Sequence, residues 1–178
     1  MDVDLPNGSQ KKKKHLMIAV GVCFVLLGLI FLAKGIKKES SLAGVVLSTL
    51  DGKTTRDMGA CSSPKCLTMY VSPWCGICRR STGVISALRD HLNAKGVETR
   101  IVVGRDKPGE VRAYALEFGG GTFIDSPGNF PLKGGVPNFV VSDAEGKVLK
   151  ISPGVPGFFE PPYKTELLHE LADWMGAL

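Results

Sequence analysis

Short apolar runs bounded by turn residues recur along most of the chain, and such runs predict β-strands. Five of them stand out: Gly44–Leu50, Cys66–Val71, Val97–Val103, Asn138–Ser142 and Lys147–Ile151. The last two are joined by Asp143-Ala144-Glu145-Gly146, a turn sequence, so they predict a β-hairpin.

Between these runs, apolar residues recur every three or four positions, which is the spacing of an α-helix. This spacing predicts helices over Cys75–Lys95, Pro108–Phe118 and Tyr163–Leu178. In the first helix, the apolar face holds Cys78, Val84, Ile85, Leu88 and Leu92. In the last, the predicted buried stripe is Leu167, Leu168, Leu171, Trp174 and Met175. Gly119–Gly135 is rich in Gly and Pro and is predicted to be a loop.

The predicted order is strand, helix, strand, helix, hairpin, helix. A strand–helix–strand crossover gives a parallel pair, and the hairpin adds antiparallel strands. The sequence therefore predicts an α/β fold whose mixed central sheet is flanked by helices on both faces.

The longest apolar run, Leu16–Ala33, has 18 residues and no charge. As a helix it would be about 27 Å long, close to the hydrocarbon thickness of a bilayer. A buried helix of this length normally has a polar face, and this run has none. We therefore predict an uncleaved signal anchor, with a cleaved signal peptide as the alternative. Ser40-Ser41-Leu42-Ala43 offers only a weak cleavage site.

The basic residues are concentrated around this run. Residues 1–40 hold seven Lys and three acidic residues, a net charge of +4, whereas the rest holds 15 basic and 14 acidic residues. The folded part therefore has no strong case for nucleic-acid binding. Four Lys precede the run and three follow it, which favours a cytoplasmic N-terminus.

Four segments follow from this pattern. We expect a cytoplasmic tail (1–15), a transmembrane helix (16–33), a linker (34–42) and a folded domain (43–178). The domain is predicted to lie outside the cytoplasm, attached to a membrane that the chain crosses with a single span.

Cys75-Gly76-Ile77-Cys78 lies where a predicted strand gives way to a predicted helix. Two intervening residues in the first helical turn bring two sulfur atoms within bonding distance. Unpaired amides at the helix N-terminus favour the thiolate of the first cysteine, which makes Cys75 the predicted nucleophile. Cys78, which lies deeper, is the predicted resolving thiol.

Ser72-Pro73-Trp74-Cys75-Gly76-Ile77-Cys78 and Gly135-Val136-Pro137-Asn138-Phe139 resemble two motifs of the thioredoxin superfamily. Pro137–Leu149 is also similar to the hairpin of membrane-tethered bacterial thioredoxin-like proteins. The resemblance covers roughly residues 43–178. It implies a thioredoxin fold, a cis bond before Pro137, and a substrate groove formed by Trp74, Val136 and Pro137. It also implies that the domain faces the periplasmic side of a bacterial inner membrane.

Three positions depart from the family pattern. Met69 stands where thioredoxin has a buried Asp, Gly83 stands where the family often has a helix-kinking Pro, and Gly76-Ile77 replaces Gly-Pro between the cysteines. Because the dipeptide tunes the redox potential, the direction of the reaction does not follow from the resemblance.

Cys61 and Cys66 form the second close pair. In an oxidising compartment we expect a structural disulfide, while a redox relay and two free thiols are the alternatives. A zinc site built from this pair and Cys75/Cys78 is disfavoured, because about nine residues of chain, or ~30 Å when extended, separate Cys66 from Cys75. A structural disulfide between Cys75 and Cys78 is a further alternative. No metal is predicted.

Five Phe residues lie in or beside the Gly/Pro-rich loops, and some of them are candidates for an apolar rim that binds polypeptide. They are Phe118, Phe123, Phe130, Phe158 and Phe159.

The predicted function is thiol–disulfide exchange on extracytoplasmic proteins, with no dissociable cofactor because the chemistry resides in the protein's own sulfurs. The expected partners are cysteine-containing substrate proteins and a redox partner protein. A reductant role, for example in cytochrome c maturation, is slightly favoured over oxidation or isomerisation. The alternative is a non-catalytic, membrane-tethered interaction module with structural disulfides.

Overall fold

The structure, a computed structural model, describes residues 40–126, 128–131 and 134–178. The predicted tail (1–15), the membrane span (16–33) and most of the linker (34–42) lie outside these residues. Within the described residues, no helix has the length and apolarity needed to cross a bilayer.

The described residues form seven strands and four helices. In chain order these are β1 (Val46–Thr49), β2 (Thr55–Asp57), β3 (Lys65–Val71), α1 (Gly76–Arg80), α2 (Thr82–Ala94), β4 (Glu98–Gly104), α3 (Pro108–Leu116), β5 (Phe123–Asp125), β6 (Asn138–Asp143), β7 (Val148–Pro153) and α4 (Thr165–Met175).

All seven strands belong to one mixed sheet in the order β2-β1-β5-β4-β3-β6-β7. β3, β4 and β5 are parallel, whereas β6 runs antiparallel to both β3 and β7. β1 joins the sheet antiparallel to β5 and to β2. β3 has neighbours on both sides and six of its seven residues are buried, so the segment that follows it starts from a rigid support.

Side chains of β3 alternate between two apolar cores, as expected for a strand with both faces covered. Leu67, Met69 and Val71 face one core, and Tyr70 faces the other. The buried residues of all four helices belong to the core of Met69. The prediction of helices on both faces is therefore wrong for the described residues.

The direction of the crossovers explains this arrangement. β3, β4 and β5 are successive neighbours on one side of the sheet, and right-handed crossovers in one direction place their connections on one face. The described residues between β5 and β6 contain no helix, and Phe130 among them lies in the opposite core, 5.1 Å from the ring of Tyr70.

Two short strands were not predicted. β2 is polar, and β5 lies within the segment predicted as a loop.

The predicted start of the domain and one predicted core residue also differ from the structure. Leu42, just before the predicted start, is 1% exposed, and its N–H donates to the carbonyl of Gly146 at 2.8 Å. The packed region therefore begins before residue 43. In α4, Trp174 is 39% exposed, which contradicts its predicted place in the buried stripe.

The helix predicted over Cys75–Lys95 is divided into α1 and α2 at Ser81, whose backbone leaves the helical region (φ −97°, ψ 2°). The Thr82 hydroxyl donates to the carbonyls of Cys78 at 3.3 Å and Arg79 at 3.0 Å. Such side-chain bonds to preceding carbonyls are associated with helix bending. At the far end, Gly96 takes a left-handed conformation (φ 78°), which is common in the residue that follows a helix.

Candidate active site

Cys75 is the N-terminal cap of α1, immediately beyond the carboxyl end of β3. Its backbone is extended (φ −80°, ψ 108°), and its Sγ accepts a hydrogen bond of 3.1 Å from the N–H of Cys78. This N–H is one of the helix donors that lack a partner within the helix. A sulfur held in this position receives a donor that stabilises its negative charge, which suits a nucleophile.

Cys78 lies one turn further on and is completely buried, whereas Cys75 is 5% exposed. Burial raises the pKa of the Cys78 thiol, and its hydrogen bond with Cys75 raises it further. Both cysteines carry free thiols in this structure. Cys75 is therefore the sulfur that a substrate can reach, and Cys78 is a protonated thiol at neutral pH.

The Val136–Pro137 peptide bond is cis, as the resemblance implied. The thiol of Cys75 donates to the Val136 carbonyl at 3.4 Å, so the loop before β6 faces the motif. Cys75, Val136 and Pro137 are thus brought together across 61 residues of sequence.

Trp74 lies beside the motif with 62% of its surface exposed, and its indole N–H donates to the carbonyl of Arg105 at 2.8 Å. This bond links the segment before α1 to the end of β4. Ile77, between the two cysteines, is 41% exposed. An exposed indole and an exposed aliphatic side chain therefore border Cys75.

A second apolar feature borders the same helix. Phe158 is 70% exposed, and the guanidinium of Arg80 lies 5.0 Å from its ring centre. With Phe159 and Glu160 these residues line a pocket of about 430 Å³. Of the five Phe residues considered for an apolar rim, three are buried and Phe158 is the most exposed.

Tyr114 of α3 contacts α1 and the first turn of α2. Its hydroxyl lies 3.1 Å from that of Thr82, and the guanidinium of Arg79 lies 4.2 Å from the centre of its ring. Arg79 is paired with Glu117 at 2.7 Å. Burial raises the pKa of the Tyr114 hydroxyl, and the nearby carboxylate of Glu117 adds to this.

Sequence reasoning did not find Tyr114. Its only signal was an aromatic residue on a helix, which usually indicates core packing. Met69 occupies the buried position where thioredoxin has Asp, and it packs in the same core as Cys75 and Cys78. The carboxylate of Asp125, in β5, is bonded to residues of the opposite core. It accepts from the Tyr70 hydroxyl at 2.8 Å and from the N–H of Phe130.

Cys61 and Cys66 form a disulfide with a Cα–Cα distance of 6.0 Å, which confirms the predicted bond. Cys66 is the second residue of β3, so this bond lies at the opposite end of the strand from Cys75. The four cysteines are not brought together, and a zinc site that uses both pairs is excluded. Cys61, Cys66 and a carboxylate oxygen of Glu98 lie within 4.8 Å of one another, but both sulfurs are committed to the disulfide.

No family model matches this sequence. No curated protein matches it either. Solved structures do. A secreted disulfide oxidoreductase of Mycobacterium tuberculosis, homologous to DsbE of E. coli, is similar with a TM-score of 0.54 and 15% identity, over 75% of this chain and 95% of that one.

Two further matches are of the same kind. A DsbE-type thiol:disulfide interchange protein from Chlorobium tepidum has a TM-score of 0.54 and 22% identity, over 78% of this chain and 97% of that one. An exposed lipoprotein thioredoxin of Streptococcus pneumoniae has a TM-score of 0.51 and 19% identity, over 72% and 97%. The described domain of this chain has the thioredoxin-like α/β fold that these proteins share.

Proposed function

We propose that this protein is a thiol–disulfide oxidoreductase in which Cys75 attacks and Cys78 resolves. The observation that carries the proposal is the asymmetry of the motif. The Sγ of Cys75 accepts a helix N–H beside Val136, and Cys75 is the more exposed of the two residues, whereas Cys78 is completely buried with a raised pKa. The fold shared with known disulfide oxidoreductases supports it.

In the reductive direction, the Cys75 thiolate attacks one sulfur of a substrate disulfide. A mixed disulfide forms, and the other substrate sulfur leaves as a thiolate and takes up a proton. Cys78 then loses its proton and attacks the Sγ of Cys75, which releases the second substrate thiol. The chain is left with a Cys75–Cys78 disulfide and has passed on two electrons, so a redox partner must reduce it again. Oxidation is the same sequence reversed.

The substrate segment containing the disulfide is proposed to lie against Val136 and Pro137. The Val136 carbonyl faces Cys75, so an extended segment placed there brings its sulfur to the nucleophile. Trp74 borders the same place and offers an exposed apolar surface. These three residues are therefore the proposed substrate contacts.

The proposed location is outside the cytoplasm, with residues 16–33 anchoring the chain in the membrane. The uncharged run and its Lys flanks support the anchor, and the Cys61–Cys66 disulfide suits an oxidising compartment. In such a compartment, keeping substrate cysteines reduced, as haem attachment to cytochrome c requires, is the proposed direction. An alkaline phosphatase fusion after Leu178 should be active, and an inactive fusion would contradict this orientation.

Insulin reduction with dithiothreitol tests the chemistry. The full chain should accelerate precipitation of the insulin B chain. Cys78→Ser should instead accumulate covalent complexes with substrate, because the mixed disulfide is no longer resolved, and Cys75→Ser should neither trap nor turn over. A full chain with no activity above dithiothreitol alone would favour the non-catalytic interaction module.

A further inference from the structure

The Cys61–Cys66 disulfide lies at the start of β3, and Cys75 follows the end of that strand. A strand advances ~3.3 Å per residue, so the two pairs are on the order of 20 Å apart. Direct exchange between them is excluded in the folded protein. Any partner that reaches Cys61 approaches from the opposite end of the sheet.

The two sulfurs of this disulfide differ in access. Cys61 is partly exposed, whereas Cys66 is fully buried within β3. Thiol–disulfide exchange requires the entering thiolate to reach one sulfur while the other leaves. From solvent, the reachable sulfur is that of Cys61, and the leaving sulfur is that of Cys66.

The leaving sulfur has a cationic neighbour. Nη2 of Arg100 lies 3.5 Å from the Sγ of Cys66, and the Arg100 side chain is 2% exposed. The guanidinium is held in place by bonds to the carbonyl of Met58 at 2.6 Å and to Oε1 of Glu98 at 2.7 Å, and it also donates to the carbonyl of Ala60. A fixed guanidinium stabilises a thiolate that forms beside it.

The nearby carboxylate does not fully neutralise Arg100, because a second guanidinium, that of Arg56, shares it. Glu98 pairs with Arg56 at 2.8 Å as well as with Arg100. Its Oε2 also accepts from the N–H of Ser62 at 2.7 Å and from the Ser62 hydroxyl. Burial disfavours a charge on Cys66, and the guanidinium of Arg100 is the group that offsets this cost for a departing thiolate.

We propose that Cys61–Cys66 is a second thiol-exchange site with a fixed polarity. An entering thiolate bonds to the Sγ of Cys61, the Cys61–Cys66 bond breaks, and Cys66 departs as a thiolate beside Arg100. A second thiol then releases Cys61 as a thiol. The disulfide gains two electrons and two protons, and the entering thiols end as a disulfide.

The polarity is tested in the full chain carrying Cys23→Ala, Cys75→Ala and Cys78→Ala, in which Cys61 and Cys66 are the remaining cysteines. The oxidised protein is exposed to glutathione and quenched with N-ethylmaleimide. Trypsin cleaves after Lys65 and so separates the two cysteines. We expect glutathione on Cys61 and maleimide on Cys66, with at least about a tenfold preference over the reverse pattern.

A second arm replaces glutathione with a reduced full chain that carries Cys23→Ala, Cys61→Ser, Cys66→Ser and Cys78→Ser and attacks through Cys75. A complex linked to Cys61 identifies a protein thiol as the better entering group, and an adduct with glutathione alone identifies a small thiol. Two distributions of adducts would overturn the proposal: adducts mainly on Cys66, and adducts in equal amounts on Cys61 and Cys66. The proposal would also be overturned if the folded protein did not react while the urea-unfolded protein did.

Arg100 is the positioning residue in this scheme, and two variants test it. Arg100→Gln should slow cleavage by glutathione about fivefold and shift maleimide labelling of the reduced Cys66 to higher pH, while Arg100→Lys should retain much of both. Unchanged rates and labelling profiles in a folded Arg100→Gln protein would overturn the role of the guanidinium. If Arg100→Gln does not fold, Arg100→Lys and the adduct map still decide the proposal.

Discussion

The two cysteine pairs lie at opposite ends of one strand and differ in what surrounds each sulfur. At the carboxyl end of β3, the sulfur of Cys75 accepts a hydrogen bond from a backbone N–H, and Cys78 is a buried thiol of raised pKa. At the amino end, Cys61 is partly exposed, and Cys66 lies beside a buried guanidinium. In the first pair the sulfur that receives the hydrogen-bond donor is the attacking group, and in the second the sulfur beside the cation is the leaving group. Reactivity therefore depends on which sulfur receives the positive potential.

Removing each cysteine pair in turn tests the difference between the two pairs most directly. Cys75→Ser with Cys78→Ser should lower insulin reduction by roughly a hundredfold or more, since the nucleophile is gone. Cys61→Ser with Cys66→Ser should leave insulin reduction largely intact. It should instead lower the free energy of unfolding by about 2 kcal/mol, the loop-entropy value for so short a loop.

Urea unfolding of both double variants, followed by fluorescence, completes this experiment. A collapse of insulin reduction in the folded Cys61/Cys66 variant would show that the second pair is part of the catalytic relay. The conclusion that the second pair acts independently of Cys75 and Cys78 would then be wrong.

The buried thiol of the first pair predicts a pH dependence of stability. Because the pKa of Cys78 is raised on folding, its proton is lost more readily in the unfolded chain. The stability of the reduced protein should therefore be fully present below about pH 8.5 and fall as the pH rises, by up to about 1.4 kcal/mol per pH unit.

The measurement is urea unfolding of the reduced full chain between about pH 8 and 10. Cys78→Ala is the matched variant, and its stability should depend less steeply on pH even though its absolute stability is lower. Equal slopes for the two proteins would contradict the assignment of this dependence to Cys78.

A third prediction concerns the packing against the helices of the first pair. A Cβ placed on Gly83 would lie 2.5 Å from the hydroxyl of Tyr163. Gly83→Ala should therefore destabilise the protein by about 1 kcal/mol, even though Ala is the better helix former. Tyr163→Phe should restore most of this loss, since the next nearest ring atom lies at 3.3 Å.

A double-mutant cycle measured by thermal unfolding gives the coupling energy. A Gly83→Ala variant that is more stable than the parent would show that the Tyr163 side chain can move away from the added Cβ without loss of stability. The position where the family often has Pro would then be free of tertiary constraint.

The smallest expected effect concerns substrate contact. Phe158 is exposed beside Arg80, so burying a further ~25 Å² of it against a substrate would be worth about 0.6 kcal/mol. Phe158→Ala should raise the KM for insulin about threefold and leave thermal stability unchanged. Val46→Ala, at an exposed apolar position on β1, is the control and should change neither quantity. Equal KM values for both variants would show that Phe158 is not part of an apolar rim that binds polypeptide.

The Cys75–Cys78 motif, the strand before it and the helices after it could be predicted from the sequence because their signals are local. The strand before Cys75 is a continuous apolar run, and the helix after it repeats every three or four residues, so β3 and the α1–α2 region were predicted close to their observed bounds. The Cys61–Cys66 bond was also predicted, since five residues of separation allow a local disulfide.

Features that depend on partners distant in sequence were missed. β5 has three residues, and its strand conformation is fixed by pairing with β4 on one side and β1 on the other. Trp174 was placed in a buried stripe by its spacing, but Ala172 is buried instead because the axis of α4 is set by packing against α2.

By itself, the sequence determined where the reactive sulfurs lie along the chain, which of them caps a helix, and that a strand precedes them, because each depends on neighbouring residues. Tertiary structure alone decided that Val136 faces Cys75, that Tyr114 lies beneath α1, and that Arg100 lies beside Cys66. These contacts join residues 30 or more positions apart. Strand order and crossover direction fix them, and neither is encoded in any short stretch of residues.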